Sequence, residues 1–315
     1  MSLRVGVIGA GGMGREHIAN LSAVAGVEIA VVADVVADAA VAAAATVGAD
    51  VSVDAVGVAA RDDLDALVIA SPDDTHAELA LAAIAAGTPT LCEKPLAATV
   101  PDAERVVAAE AATGRSLVQL GFMRPYDAAH VQVRDAVAEL GELLHIRSAH
   151  RNTNHAWQRS LDVVCTQSLI HDVHTARWMS GAEFVSVVTQ VVRSVERIEH
   201  VVVLGAMDDG STVTMEFVEA TYGYDIDLEV SSRHGVVSIA QPPQPTVRRD
   251  GAGHVHIGDD WFGRFRDAYR VEIETWVAGV RNDVVDGPTT HDGLAAQRVV
   301  AAALRSAETG QREQV

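Results

Sequence analysis

Leu3-Arg4-Val5-Gly6-Val7-Ile8-Gly9-Ala10-Gly11-Gly12-Met13-Gly14 runs a short apolar strand straight into a G-x-G-x-x-G turn, and a helix reaching to about Val24 follows. Alone, that glycine pattern is weak. Between a strand and a helix, at the start of a βαβ unit, it becomes specific. Gly9 makes the tight turn, Gly11 lets the backbone approach a pyrophosphate, and Gly14 lets helix and strand pack closely. The N–H groups at the helix start then face the phosphates, with Gly12 and Met13 in the same turn. A second apolar strand, Val27–Ala33, ends at Asp34, about 20 residues beyond Gly14, where an acid hydrogen-bonds the adenosine ribose. A carboxylate there accepts from a free 2′-hydroxyl and repels a 2′-phosphate. Val35-Val36-Ala37 offers no arginine to hold that phosphate. The expected cofactor is NAD rather than NADP.

Working outward, short apolar runs keep alternating with alanine-rich helical ones. A helix through Asp38–Val47, a strand at Leu67–Ala70, and a Ser71-Pro72-Asp73-Asp74 turn precede a helix over Thr75–Ala86 that Gly87 stops. Thr90–Cys92 reads as a strand, Pro101–Ala112 as a helix with proline at its start, and Leu117–Leu120 as a strand. Near-continuous apolar strands alternating with helices predict a doubly wound parallel α/β sheet. The second half has a different period. Val213, Met215 and Phe217 alternate with Thr212, Thr214 and Glu216, and Ile226, Leu228 and Val230 with Asp225, Asp227 and Glu229. That pattern predicts antiparallel strands with one covered and one wet face. Helices are expected at about Cys165–Met179, Phe262–Val280 and Gly293–Ala307. The reading is therefore a dinucleotide-binding domain over 1–121 and an α+β domain over 122–315.

Composition sets outer limits. The 315 residues carry 24 Lys+Arg against 43 Asp+Glu, a net charge of −19, with 49% apolar and 21% charged residues. A chain this acidic is not expected to bind a nucleic-acid backbone or an anionic membrane surface, and no stretch is long and apolar enough to span a bilayer. Two cysteines, Cys92 and Cys165, make neither a disulfide framework nor a four-thiolate zinc site. With no secretory leader read at the start, they suit the cytoplasm. Of the 24 basic residues 23 are arginine, and Lys94 is the single lysine. A compact ammonium that can titrate does what arginine cannot.

Lys94 sits in Cys92-Glu93-Lys94-Pro95-Leu96. The glycine fingerprint, then Ser71-Pro72-Asp73-Asp74-Thr75-His76, then Glu93-Lys94-Pro95, resembles the Gfo/Idh/MocA family of sugar and cyclitol oxidoreductases over essentially the whole chain. Gly121-Phe122-Met123-Arg124 resembles that family's entry into its second domain. His150-Arg151-Asn152, Tyr222-Gly223-Tyr224-Asp225-Ile226, and Trp261, Arg264-Phe265, Ala268-Tyr269 and Glu272-Ile273 are most similar to its myo-inositol 2-dehydrogenase branch. The resemblance implies a Rossmann domain followed by an open, mostly antiparallel sheet that builds a homodimer or homotetramer. It implies that Lys94 hydrogen-bonds the reacting hydroxyl, often beside a cis Lys94–Pro95 peptide. Ser71, Pro72, His76 and Glu93 would lie near the cofactor.

The family carries its base on a helix as D-x-x-x-H, with an acid three residues after the histidine. The matching segment is Gln167-Ser168-Leu169-Ile170-His171-Asp172-Val173-His174. His171 matches the catalytic histidine, Gln167 replaces the aspartate, and His174 replaces the later acid. Spacing on an α-helix puts Gln167, His171 and His174 on one face and turns Asp172 about 100° away. Oxidising a secondary alcohol requires a group that takes the hydroxyl proton, which histidine does near neutral pH. Gln167 can orient the ring but brings no charge. Met123, Arg124, His150, Asn152, His155, Trp157 and His174 are candidate polyol contacts. Of Tyr222 and Tyr224, Tyr222 is the candidate pocket residue. His150, His155, His171 and His174 also resemble a zinc set, but the family's hydride chemistry uses no metal and none is expected. The reading is an NAD-dependent polyol or sugar dehydrogenase. Two alternatives remain: elimination or glycoside cleavage through transient oxidation, and a sensor that binds dinucleotide and sugar without turnover.

Overall fold

The computed structural model describes residues 2–153, 160–194, 197–220, 223–239, 246–255, 258 and 260–315. The chain forms two compact units. Met1–Met123 and Asp267–Gln297 make the first; Arg124–Arg266 and Arg298–Val315 make the second.

The first unit holds β1 (Leu3–Ile8), α1 (Gly12–Ala23), β2 (Val27–Ala33), α2 (Ala37–Ala45), β3 (Asp50–Ser52), α3 (Ala55–Ala59), β4 (Ala66–Ile69), α4 (His76–Ala86), β5 (Thr90–Glu93), α5 (Val100–Thr113) and β6 (Val118–Gly121). Its sheet runs β3-β2-β1-β4-β5-β6, all parallel. The order reverses between β1 and β4, which is where doubly wound sheets bind ligands at the carboxyl ends of their strands. Both faces are covered, so Val5, Val7, Val68, Ile69 and Leu91 are all 0% exposed. Two glycines are obligatory. Gly9 has φ +99°, and a Cβ on Gly14 would lie 1.8 Å from the Gly9 carbonyl oxygen. Thr99 caps α5 by accepting from the Asp102 N–H at 3.2 Å, with Pro101 in the first turn.

The expected division into 1–121 and 122–315 does not register the chain's return over Asp267–Gln297. Ile273, Trp276 and Val277 pack into the same apolar cluster as Val5, Val7, Leu21 and Ile29. The Leu120 N–H donates to Pro288 O at 2.8 Å, and Gln119 bridges to Thr289 beside β6. Buried Glu110 accepts from the Leu117 and Val118 N–H groups at 2.7 Å each and from the Thr290 hydroxyl. The return thus finishes one face and one edge of the sheet.

The second unit holds α6 (Ala128–Glu139), β7 (Leu143–Thr153), α7 (Leu161–Val164), a π-helical turn (Cys165–Leu169), α8 (Ile170–Ser180), β8 (Phe184–Arg193), β9 (Ile198–Met207), β10 (Thr212–Ala220), β11 (Asp225–Ser232) and β12 (Gly235–Ser238). A two-stranded ribbon, β13 (Thr246–Arg249) with β14 (Ala252–Val255), precedes α9 (Trp261–Arg281), α10 (Thr290–Thr309) and β15 (Glu313–Gln314). The main sheet runs β12-β11-β7-β10-β9-β8-β15. Every pairing is antiparallel except β7 with β10. The predicted alternation holds: Val213, Met215, Phe217, Ile226, Leu228 and Val230 are all buried. On the opposite face Arg151 pairs with Asp225 at 3.2 Å and Asp227 at 3.4 Å, and Arg147 reaches Glu216 at 3.6 Å.

Candidate active site

In the first unit the turn after β1 is built as its glycines require. Cβ atoms added to Gly11 or Gly12 would meet nothing within 4 Å, so the backbone at the start of α1 is open to close approach. That is the cradle a pyrophosphate needs. At the end of β2, Asp34 Oδ2 accepts from the Ala10 N–H at 2.7 Å and Oδ1 from the Val36 N–H at 2.8 Å. Two backbone donors fix the carboxylate between the glycine turn and the loop after β2, with lone pairs left for a ribose diol. Val35 and Val36 beside it are exposed. The residues present fit a dinucleotide with a free 2′-hydroxyl.

The Lys94–Pro95 peptide is cis, as the resemblance implies. Lys94 follows β5, half-buried. Burial pushes its ammonium down, against the opposing charges of Glu93 and Asp73. Glu93 is buried and accepts from His17 Nε2 at 2.8 Å. Burial pushes the Glu93 carboxyl up, but the His17 hydrogen bond and charge, with those of Lys94 and His76, outweigh it and leave it below the ordinary range. Glu93 also packs against Gly121, where a Cβ would lie 3.0 Å from its carboxyl carbon. Close to Glu93 lies Glu272, 0% exposed, whose carboxyl oxygens have no hydrogen-bond partner among the described residues. Burial first, and the Glu93 charge second, raise it well above the ordinary value. His76, at the start of α4, sets Nδ1 2.7 Å from Pro95 O and Nε2 2.9 Å from Ser71 O. Ser71 in turn bonds the Thr75 hydroxyl at 2.6 Å.

In the second unit the histidine segment is not one continuous α-helix. Leu161–Val164 and Ile170–Ser180 flank a π turn over Cys165–Leu169, where the Ile170 N–H donates back five residues to Cys165 O. Gln167 lies inside that wider turn. The α-helical phase that aligns it with His171 in sequence therefore does not run through. His171 and His174 both lie within α8 and keep their i, i+3 relation. Single π turns of this kind are frequent at functional sites.

The element β7 brings polar side chains to the sheet's covered face. His150 and Asn152 are buried there, and Asn152 Nδ2 donates to Ser168 Oγ at 3.4 Å, joining the strand to the π turn. His171 and His174 are 7% and 3% exposed. Asp172 is engaged elsewhere: its Oδ1 takes the Arg124 Nη1–H at 2.6 Å, and its Oδ2 lies 3.4 Å from His150 Nδ1. Arg124 also donates to Thr175 at 3.2 Å. The Tyr224 ring meets His150 edge-on at 5.5 Å, and burial pushes its phenol up. Met123, which ends the first unit's N-terminal stretch, is buried. His155, Trp157 and Tyr222 lie outside the described residues. Asp172 and Tyr224 join this polar cluster although sequence reasoning gave them no role. The signal for Asp172 was its adjacency to His171, and for Tyr224 its place in the Tyr222-Gly223-Tyr224 motif. Among the described residues no group of three or more His, Cys, Asp or Glu side chains is placed to hold a metal ion, and no helix is long and apolar enough to cross a membrane.

The chain matches known proteins along essentially its whole length. Residues 3–122 match the oxidoreductase family model for an NAD-binding Rossmann fold, and 134–315 match that family's C-terminal alpha/beta domain. The chain is 38% identical to inositol 2-dehydrogenase 1 of Saccharopolyspora erythraea, over 98% of this chain and 95% of that protein. It is 36% identical to the inositol 2-dehydrogenase of Klebsiella pneumoniae, over 100% and 97%. Among solved structures, myo-inositol dehydrogenase from Lactobacillus casei, in complex with NAD(H) and myo-inositol, superposes with a TM-score of 0.95 at 28% identity, covering 100% of this chain and 97% of that one.

Proposed function

The chain belongs to the Gfo/Idh/MocA oxidoreductase family as an NAD-dependent oxidoreductase acting on CH–OH groups, and on that premise we propose that its substrate is a cyclic polyol of the inositol type. The observation that carries the substrate class is likeness to inositol 2-dehydrogenases along essentially the whole chain, the polar second unit included.

NAD, when bound, supplies the nicotinamide ring that accepts the hydride. The chain's own residues do the rest. Backbone N–H groups of Gly11, Gly12 and Met13 at the start of α1 hold the pyrophosphate, and Asp34 takes the adenosine ribose. Gly9 and Gly14 shape that turn, while Ser71, Pro72, His76 and Glu93 line the cofactor's surroundings. Lys94 hydrogen-bonds the reacting hydroxyl and polarises it, with an ammonium that burial makes a stronger proton donor. His171 exchanges the hydroxyl proton, and Gln167 orients its ring without adding charge. Met123, Arg124, His150, Asn152 and His174, with His155, Trp157 and Tyr222, select among polyols by hydrogen bonding. Open sheet faces carrying Val188, Val202 and Leu204 support a homodimer or homotetramer built through the second unit. The acidic charge and two free cysteines fit a cytoplasmic enzyme that takes neither nucleic acid nor membrane as partner.

The test is NADH formation followed by absorbance, with NAD and NADP against inositols, aldoses and sugar acids, and Lys94→Ala as the blank. Signal with inositols that disappears in the variant supports the reading. Signal confined to aldoses or sugar acids overturns the substrate class. Silence with every substrate, despite measurable NAD binding, points to the readings that Gln167 and His174 motivate: elimination through transient oxidation, or a sensor.

A further inference from the structure

We propose that His76 is a fixed imidazolium cation that braces the turn carrying Lys94, and so acts as a positioning residue for it. The inference rests on Lys94 being the group that holds the reacting hydroxyl.

Both ring nitrogens of His76 face backbone carbonyls, Nδ1 toward Pro95 O at 2.7 Å and Nε2 toward Ser71 O at 2.9 Å. A carbonyl oxygen only accepts. A neutral imidazole carries one N–H, so it would satisfy one carbonyl and press a lone pair against the other. Only the doubly protonated ring donates to both. The side chain is 0% exposed, so water is not available to take over either contact. Burial opposes the charge, but the Cys92 sulfur beside the ring and the two carbonyl bonds outweigh it, and the group is raised to about 10.

The placement gives the cation its consequence. Ser71 follows β4 and Pro95 follows β5, and these strands are neighbours in the sheet. The ring therefore ties together two loops at the carboxyl ends of adjacent strands, where a doubly wound sheet holds its ligand. Pro95 is bonded directly to Lys94, so fixing the Pro95 carbonyl limits how the Lys94 backbone can turn. A misplacement of about 1 Å in a positioning group costs up to about 100-fold in rate. Because the charge does not change between pH 6 and 9, His76 contributes no limb to the pH–rate profile in that range. Its effect is on the plateau.

The experiment has two arms on the full-length protein. In the first, the protein is labelled with 15N-histidine, and long-range proton–nitrogen correlation spectra are recorded at pH 6, 8 and 9. His76 is assigned by the signal that His76→Gln removes, or by contacts from its ring N–H protons to Ser71 and Pro95 if that variant does not fold. Two protonated ring nitrogens at every pH support the proposal; a single protonated nitrogen at pH 8 overturns it. In the second arm, His76→Gln and His76→Asn, which keep one amide donor and lose the charge, are compared with wild type. The expected result is a fall in kcat of about 10- to 100-fold, with NAD Kd changed less than about threefold. Unchanged kcat overturns the positioning role, and so does a loss seen only in NAD Kd. Lys94→Ala separates the two ideas: if it turns over normally the Lys94 reading fails, while the charge state of His76 is still read by the spectra.

Discussion

Arg124 Nη1 donates to Asp172 Oδ1 at 2.6 Å, and the two side chains are 2% and 0% exposed. A charge pair this deep is costly to desolvate, so its worth lies in what happens when one partner is removed. Asp172→Asn leaves the guanidinium buried beside a neutral amide, and Arg124→Met leaves the carboxylate. Each is expected to destabilise the protein by about 3–5 kcal/mol in urea denaturation, whereas Arg124→Met with Asp172→Leu recovers much of the loss. The sign with pH follows from Asp172. Burial pushes its carboxyl up, but Arg124 and His150 outweigh that and bring it down to about 2. A lowered acid stabilises the fold above its unfolded value, near 4, and that stability is lost as pH falls toward 2. Wild type should therefore lose stability over this window, and the double variant should lose less.

Asp34 is held by two backbone N–H groups, so its carboxylate is pre-aimed as well as charged. Hydrogen bonds to a charged group contribute about 1.5–3 kcal/mol each. Asp34→Ser with Val35→Arg exchanges the ribose acceptor for a phosphate donor on an exposed position. NAD Kd should rise at least about tenfold and NADP should become the better cofactor. Fluorescence titration with both dinucleotides reads this. Retained preference for NAD would mean that Asp34 serves the glycine turn rather than the ribose.

Most of the first unit was legible because β1, β2, β4, β5 and β6 are largely buried on both faces and read as plain apolar runs, whereas β3, three residues long and partly exposed, escaped. In the second unit, the alternation of Val213, Met215 and Phe217 marked β10 for the same reason in reverse, one face wet and one dry. The strand β7 escaped. Its covered face carries Ser148, His150 and Asn152, so buried polar side chains erased the apolar alternation that would have announced it. The strands β8 and β9 carry valines on both faces, with Val185, Val192 and Leu204 exposed, and again the period is lost. The helix over Phe262–Val280 was legible, but nothing in its pattern says which sheet Ile273 and Trp276 cover. The π turn has no sequence signature at all, and it changes how Gln167 relates to His171.

Glu272 is a buried group whose ionisation, unlike that of Asp172, works against the fold. Burial and the nearby Glu93 charge raise its carboxyl well above the ordinary value. The folded state therefore holds the proton more tightly than the unfolded chain. Stability is fully present below the unfolded value near 4.5 and falls as pH rises toward the folded one. Glu272→Gln keeps the shape and cannot ionise. Relative to wild type it should gain thermal stability as pH is raised from 6 to 9, visible as a growing difference in Tm by calorimetry. A difference that stays flat across this range would mean that Glu272 is not the titrating group.

Gln167 stands where the resemblance to the family implies an aspartate, inside the π turn that directly precedes α8. A carboxylate close to His171 favours the protonated ring, so Gln167→Asp should move the acid limb of the kcat profile to higher pH by about one unit or more. Stabilising the imidazolium that forms as the hydroxyl proton leaves should also raise the plateau, by about tenfold. Gln167→Glu, one methylene longer, tests whether charge alone suffices or whether reach matters. If the aspartate variant folds and neither the limb nor the plateau moves, the π turn aims position 167 away from His171. The chain's departure from the family pattern would then lie in the backbone of this turn rather than in the loss of one charge, and His171→Ala measured beside it would show whether the histidine still takes the proton.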